Sequence, residues 1–159
     1  MTARTSASKR CAVYTRTGVA SAGARPITHE AQRDACASYV AQRTGWTVVA
    51  QRYEDRGKSG ANLDRPALQR LLADVDAGRV DVVVVHQLDR LSRWFADFVT
   101  LMDRFDRAGV SWVSVTDGIA TQDADGQRLL GLVMSFAELE RAVRRAPPLE
   151  FAGGAWREP

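Results

Sequence analysis

Lysine is nearly absent from this chain: of its 22 basic residues only Lys9 and Lys58 are lysines, so the positive charge rides on arginine. Arginine's planar fork suits phosphate, although a GC-rich coding sequence gives the same bias, and a formal net charge of +3 decides little alone. Cysteine and histidine are scarce too. Cys11, Cys36, His29 and His86 are the full set, with no Cys-x-x-Cys spacing and no histidine cluster. This argues against a disulfide or a zinc site and for buried, reduced thiols in a cytoplasmic protein. No apolar run approaches the roughly 18 residues of a membrane span. No apolar segment follows Arg4, Lys9 and Arg10 as a signal peptide requires. Nucleotide-binding signatures are missing as well. Gly57-Lys58-Ser59 follows a strand-like run, but Arg52 stands where a P-loop needs its first glycine, and no G-x-G-x-x-G occurs. No metal, cofactor or membrane partner is expected.

What is present is pattern. The 159 residues, 45% of them hydrophobic, suffice for one domain that buries roughly two thirds of its unfolded surface. The run from Asp81 to Arg93 organises the rest: four consecutive valines describe a strand covered on both faces, and Asp89, Arg90 and Arg93 follow at its carboxyl end. Open α/β sheets gather ligands there. Residues 1–10 read as a frayed tail, Cys11 to Thr15 as a first strand ending at Arg16, and Thr17 to Ile27 as an exposed loop. Thr28 is the expected cap of a helix through Arg43 that buries Ala35, Cys36, Tyr39 and Val40 and stops at Gly45. Trp46 to Tyr53 reads as strand two, and Glu54 to Asp64 as a polar loop. Pro66 opens a helix carrying Leu68, Leu71, Leu72 and Val75 on one face, closed by Gly78. After the valine strand comes a helix from about Arg93 to Ala108, with Trp94, Phe98, Leu101, Met102 and Phe105 on one face. Ser111 to Val115 is the fourth strand. This alternation predicts an α/β fold with a mainly parallel central sheet flanked by helices.

The last element differs in kind. Over 125–146 apolar residues fall at Leu129, Leu130, Leu132, Val133, Met134, Phe136, Ala137, Leu139 and Val143, more than one stripe can hold. Since a small sheet is already covered, this long C-terminal helix is expected to serve as a subunit interface. Pro147 and Pro148 stop it, and 147–159 reads as a disordered tail, leaving a domain over 11–146.

Chemistry concentrates at one end of the predicted sheet, where Arg16, Arg65, Arg90 and Arg93 converge beside Asp55 and Asp89. Bidentate arginines stabilise the charge that builds on a phosphoryl group, and losing one such donor commonly costs on the order of a hundredfold in rate. One arginine at a loop edge is ordinary surface. Four at the same end point to an anion.

These residues also fall into recognisable blocks: Tyr14-Thr-Arg16, Glu30-Ala-Gln32-Arg33, Tyr53-Glu-Asp55-Arg-Gly-Lys-Ser59-Gly60 with Arg65-Pro66, Leu88-Asp-Arg-Leu-Ser-Arg93, and Phe136-Ala-Glu138-Leu-Glu140-Arg141. Together they resemble the catalytic domain of the serine recombinases, the resolvase and invertase group. In spacing they are most similar to large serine integrases and transposon recombinases, over about Cys11 to Arg145. The resemblance implies a dimeric or tetrameric enzyme that cuts and rejoins DNA at specific sites without a metal, through a serine joined to a 5′-phosphate. It implies that Arg16, Arg65, Arg90 and Arg93 grip the phosphate and that Asp89 and Asp55 orient them or help move protons. Tyr14, Gln32 and Ser59 would support the site, and Phe136, Glu140 and Arg141 would lie in the helix contact.

Two departures qualify that expectation. The family pattern after the tyrosine runs x-Arg-x-Ser, and the corresponding position here is Gly18, with the spacing from Tyr14 to Gln32 intact. Glycine has no hydroxyl and cannot form the covalent link. Thr17 should point to the other side of the strand, and Ser21 sits in the loop. Family members also add a DNA-binding region after the long helix, so weak or absent autonomous DNA binding is expected of this chain. Three readings stay open: a recombinase domain without its nucleophile, a dimerising or DNA-associated regulator of a recombinase, and an enzyme using Ser21.

Overall fold

A computed structural model describes residues 8–18 and 27–145. In chain order its elements are β1 (Lys9–Arg16), α1 (His29–Ala41), β2 (Trp46–Val48), β3 (Tyr53–Asp55), α2 (Pro66–Asp76) and β4 (Val82–Val85). A single 3-10 turn over Leu88–Arg90 follows, then α3 (Phe95–Arg107), β5 (Ser111–Ser114), β6 (Ile119–Ala120) and α4 (Ala124–Arg145). The sheet runs β2-β1-β4-β5-β6, with β3 also paired to β1, and every pairing is parallel except that of β5 with β6.

Side-chain alternation along the strands builds two cores. Cys11 and Val13 of β1 join Val82, Val84 and Val113 under Cys36 and Val40 of α1. Ala12 and Tyr14 join Val83, Val85 and Trp112 under α2 and α3, which contribute Leu68, Leu71, Leu72, Leu101, Met102 and Phe105. β4 is apolar throughout because both its faces are covered. Burial pushes the thiol of Cys11 up to about 11 and that of Cys36 up to about 12. The helix ends follow their local signals. Thr28 Oγ1 accepts the N–H of Ala31 (3.1 Å), Pro66 occupies the first turn of α2, and Gly78 closes it at φ 65°.

Several expectations change. β1 begins at Lys9, two residues inside the expected tail, because Arg10 is anchored by Asp81 through two guanidinium bonds of 2.9 Å. The single second strand is two short ones. Cys11 pairs with Val48 and Tyr14 with Tyr53, so Ala12 and Val13 of β1 face the longer stretch 49–52 and the ladder breaks. Trp94 is not in the core: it precedes the first turn of α3 and is 62% exposed. Ala35 and Tyr39 of α1 are half-buried, while His29 and Gln32 are buried in their stead. The short β6 hairpin strand was not foreseen. The expected tail 147–159, Pro147 and Pro148, and most of the loop after Gly18 lie outside the described residues.

Candidate active site

Parallel pairing brings the carboxyl ends of β1, β3 and β4 together, and with them Arg16, Asp55 and the turn Leu88–Arg90. Arg16 is fully buried. Its guanidinium donates to three carbonyls: Lys58 (Nη1, 2.9 Å), Asp89 (Nη2, 2.8 Å) and Arg90 (Nε, 3.2 Å). Arg90 returns the contact, donating from Nη1 to the Arg16 carbonyl at 2.9 Å while its other edge holds both oxygens of Asp89 (2.8 and 2.6 Å). Arg65, also buried, donates to Tyr14 Oη (2.9 Å), to the Arg90 carbonyl (2.9 Å) and to the Leu91 carbonyl. Its Nε is buried without a partner. Two buried cations thus pin the turn after the valine strand, each repaid for lost hydration by several charge-assisted bonds.

Asp55 serves the network from below. Its carboxylate accepts the N–H groups of Ala67 (2.9 Å) and Leu68 (3.0 Å) in the first turn of α2 and the phenol of Tyr14 (2.9 Å). A carboxylate at a helix N-terminus is favourably placed, and here it also fixes the ring that receives Arg65. Gln32 acts on the opposite side. Its side-chain amide accepts the Arg16 N–H (3.2 Å) and donates to the Arg16 carbonyl (3.1 Å), pairing with β1 as a strand would.

The electrostatics are those of a crowded cationic site. Burial lowers Arg16 from its ordinary value, and the charges of Arg90, Arg65 and Arg93 act the same way, with Asp89 opposing. Burial alone would raise the Asp89 carboxyl. The hydrogen bonds from Arg90 and the charges of Arg90, Arg16 and Arg93 outweigh it and hold Asp89 below the usual carboxylate range. Burial likewise pushes the Tyr14 phenol well up, keeping it a neutral donor.

The remaining expected residues lie at the rim. Arg93 is exposed; its N–H donates to the Gly60 carbonyl at 3.1 Å. Ser59 is exposed, and its hydroxyl accepts the Ala61 N–H. Gly18 continues the β1 face that bears Tyr14 and Arg16, and a Cβ placed on it would stand 3.8 Å from Arg16 Nη1. Thr17 points the other way, to His29 Nε2 at 3.0 Å. Ser21 lies outside the described residues. Phe136, Glu140 and Arg141 lie on α4 and make none of the cluster's bonds: Phe136 meets Phe95 edge to face at 5.0 Å, Glu140 accepts from Arg144, and Arg141 reaches Asp103 of α3 at 3.1 Å. Leu132, Leu139 and Val143 of α4 are each at least 60% exposed.

Two residues given no site role on sequence grounds matter here. Gly60 packs against the site's central cation, since a Cβ on it would lie 3.0 Å from Arg16 Nη2 and 3.1 Å from Arg93 Cγ. His29 is buried beside β1, between the hydroxyls of Thr15 and Thr17. Among the described residues no group of His, Cys, Asp and Glu is placed to hold a metal ion. Nor is any helix there long and apolar enough to cross a membrane.

Residues 11–147 match the family model described as Resolvase, N terminal domain. The chain belongs to the resolvase N-terminal domain family. Curated relatives of this resolvase-type domain include the transposon Tn3 resolvase of Escherichia coli, 37% identical over 94 residues that cover 59% of this chain and 50% of that protein. The transposon Tn552 DNA-invertase BinR of Staphylococcus aureus is 40% identical over 85 residues, covering 52% and 43%. The chain therefore spans about half the length of the curated relatives it matches. Among solved structures, the N-terminal catalytic domain of TP901-1 integrase is 34% identical, with a TM-score of 0.73 over 86% of this chain and 99% of that one. A resolvase family site-specific recombinase from Streptococcus pneumoniae follows at 26% identity and a TM-score of 0.64, covering 86% and 91%. The α/β fold of the resolvase catalytic domain, with its mostly parallel sheet and C-terminal helix, is thereby established.

Proposed function

We propose that this resolvase-type domain engages the phosphodiester backbone of DNA at the Arg16 cluster, and that Gly18 occupies the place of the attacking residue, so that the chain does not cleave in this form. One observation carries the reading: a Cβ at position 18 would stand 3.8 Å from Nη1 of the Arg16 guanidinium. Arg90 and Arg93, the more accessible cations, take the non-bridging phosphate oxygens. Arg16 and Arg65 hold the turn that presents them and add fixed positive potential beneath.

A serine at position 18 would complete a balanced exchange. Its hydroxyl oxygen bonds to phosphorus, the P–O3′ bond breaks, the 3′-oxygen takes up a proton, and a 5′-phosphoserine link remains. One phosphodiester replaces another, so neither metal nor nucleotide is required. Asp89, paired with Arg90, orients the cluster for this step, and Asp55 does so through Tyr14.

The test joins the chain to a sequence-specific DNA-binding module and presents DNA carrying two copies of the module's site around a central spacer. Gly18→Ser is expected to give a protein–DNA adduct that survives denaturation, and Gly18 none. An adduct from the unaltered chain, which would implicate Ser21 or another hydroxyl, or none from Gly18→Ser, overturns the reading.

A second reading is favoured by α4, whose Leu132, Phe136, Leu139 and Val143 stay exposed on the domain. Such a face suits self-association, or pairing with an active recombinase as an inert regulator. Sedimentation that finds a strict monomer and no mixed dimer would remove it.

A further inference from the structure

We infer that His29 is a positioning residue for position 18: its imidazole holds Thr15 and Thr17, on either side of Arg16, and so fixes where residue 18 stands relative to Arg16. The inference rests on the reading of residue 18 given above.

His29 is the first residue of α1 and is 4% exposed. Both its ring nitrogens are engaged, Nδ1 with Thr15 Oγ1 at 2.7 Å and Nε2 with Thr17 Oγ1 at 3.0 Å. A ring held on two edges cannot swing, and the threonines it holds flank Arg16 in the chain. One turn further along α1, Gln32 holds the Arg16 N–H and carbonyl. The first turn of α1 therefore grips residues 15, 16 and 17 in succession, through side chain, backbone and side chain. Residue 18 is the first beyond the grip.

The chemistry of the clasp suits a neutral ring. One nitrogen donates and the other accepts, so one threonine hydroxyl accepts and the other donates. Burial holds the ring uncharged, aided by Arg56 beyond β3 and Arg33 on α1, with Glu54 of β3 and Glu30 of α1 opposing. A satisfied core histidine would fill the same space. What separates the two roles is whether the hydroxyls matter, since Thr17→Val keeps the volume and Thr17→Ser keeps the bond.

The experiment compares Thr17→Val, Thr17→Ser and His29→Leu in the chain as it stands and in the Gly18→Ser fusion. In the plain chain, amide exchange at Thr17 and Lys58, whose N–H groups bond to Asp55 and Thr17 carbonyls, is expected to quicken about tenfold in Thr17→Val and His29→Leu. Thr17→Ser should match the parent, and exchange at Val13 and Val84 should not change. In the Gly18→Ser fusion, Thr17→Val and His29→Leu should slow adduct formation at saturating DNA about tenfold, without weakening DNA binding, and Thr17→Ser should not. Equal behaviour of Thr17→Val and Thr17→Ser, in exchange or in rate, overturns the clasp. If Gly18→Ser alone gives no adduct, the reading of position 18 fails, and the exchange comparison still decides whether His29 clasps Thr17.

Discussion

Two glycines of α4 should respond to the same substitution with opposite sign. Gly126 and Gly131 are both helical, and alanine in a helix interior ordinarily stabilises by about 0.5–1 kcal/mol relative to glycine. At Gly131 a Cβ meets nothing within 4 Å, so Gly131→Ala should realise that gain. At Gly126 it would lie 1.8 Å from the Ala120 carbonyl oxygen, 2.3 Å from its carbon and 2.8 Å from the Thr121 nitrogen. Ordinary C···O contacts begin near 3.3 Å, so the first turn of α4 would have to retreat from β6 by about 1.5 Å. Backbone lies on both sides of this contact, so no rotamer change relieves it. The bond from the Gly126 N–H to Asp123 Oδ1 (2.9 Å), which caps the helix, would be strained with it. Overpacking of this kind costs about 1–3 kcal/mol, and the lost cap about 1 more. With about 2–4 °C per kcal/mol for a chain of this size, Gly131→Ala should raise Tm by 1–4 °C and Gly126→Ala should lower it by roughly 4–16 °C. Thermal unfolding followed by circular dichroism reads both. A Gly126→Ala protein as stable as its parent would show that α4 does not dock on β6 as described.

Other perturbations probe the site. Arg93→Ala, at the exposed rim, should weaken DNA binding without regard to sequence and make the slope of log K against log salt shallower by about one, measured by fluorescence anisotropy. Asp55→Asn puts an amide where two backbone N–H groups and a phenol now donate, and should cost about 1–3 kcal/mol in urea unfolding; no change would mean α2 is capped otherwise. Because burial lowers His29 in the folded state, the unfolded chain takes up the proton first. Its stabilising contribution is complete above about pH 6.5 and is lost as pH falls from there through the lowered folded value. Urea midpoints between pH 8 and 5 should therefore decline more steeply in the parent than in His29→Leu, and parallel curves would refute the assignment. Asp81, held at about 2 by hydrogen bonds from Arg10, contributes above about pH 4 and loses its effect between there and pH 2; Arg10→Met should flatten acid unfolding in that window.

The sheet was legible where local signals agree. Four valines in a row left no solvent face for β4, and Pro66, Gly78 and the leucine spacing delimited α2 from sequence alone. Legibility failed where register decides. Nothing local marks that residues 49–52 must pass only Ala12 and Val13, so one strand was expected where β1 pairs with two. Trp94 was misplaced because a large aromatic one residue ahead of a helix carries the right period without belonging to the face. In the site, the gathering of arginines at one sheet end followed from topology. Their burial did not, because sequence gives no hint that backbone carbonyls of residues 58 and 89–91 would take the N–H groups of Arg16 and Arg65. His29 is not legible as a site residue because a lone histidine is most often a satisfied core residue, and only the register of β1 against α1 brings both threonines to its ring.

That burial divides the site into two tiers, with consequences for position 18. The lower tier, Arg16, Arg65, Tyr14 and Asp55, is held by bonds within the fold, including those to the Asp89 and Arg90 carbonyls of the turn above it. Each guanidinium is held by carbonyls or by the phenol, and none of these bonds involves residue 18. The upper tier, Arg90, Asp89 and Arg93, is partly open to solvent and can answer a ligand. A side chain at position 18 would touch only the edge of the lower tier, at ordinary van der Waals distance. On the proposed reading, a hydroxyl there would be dispensable for folding while deciding the chemistry. Gly18→Ser should leave the unfolding free energy within about 0.5 kcal/mol of the parent, since a surface-edge change that fills no cavity and breaks no bond stays in that range. A large loss of stability in Gly18→Ser would mean that the lower tier depends on the bare backbone at position 18. In that case glycine would be part of the scaffold, not a vacancy left in an otherwise complete phosphate site.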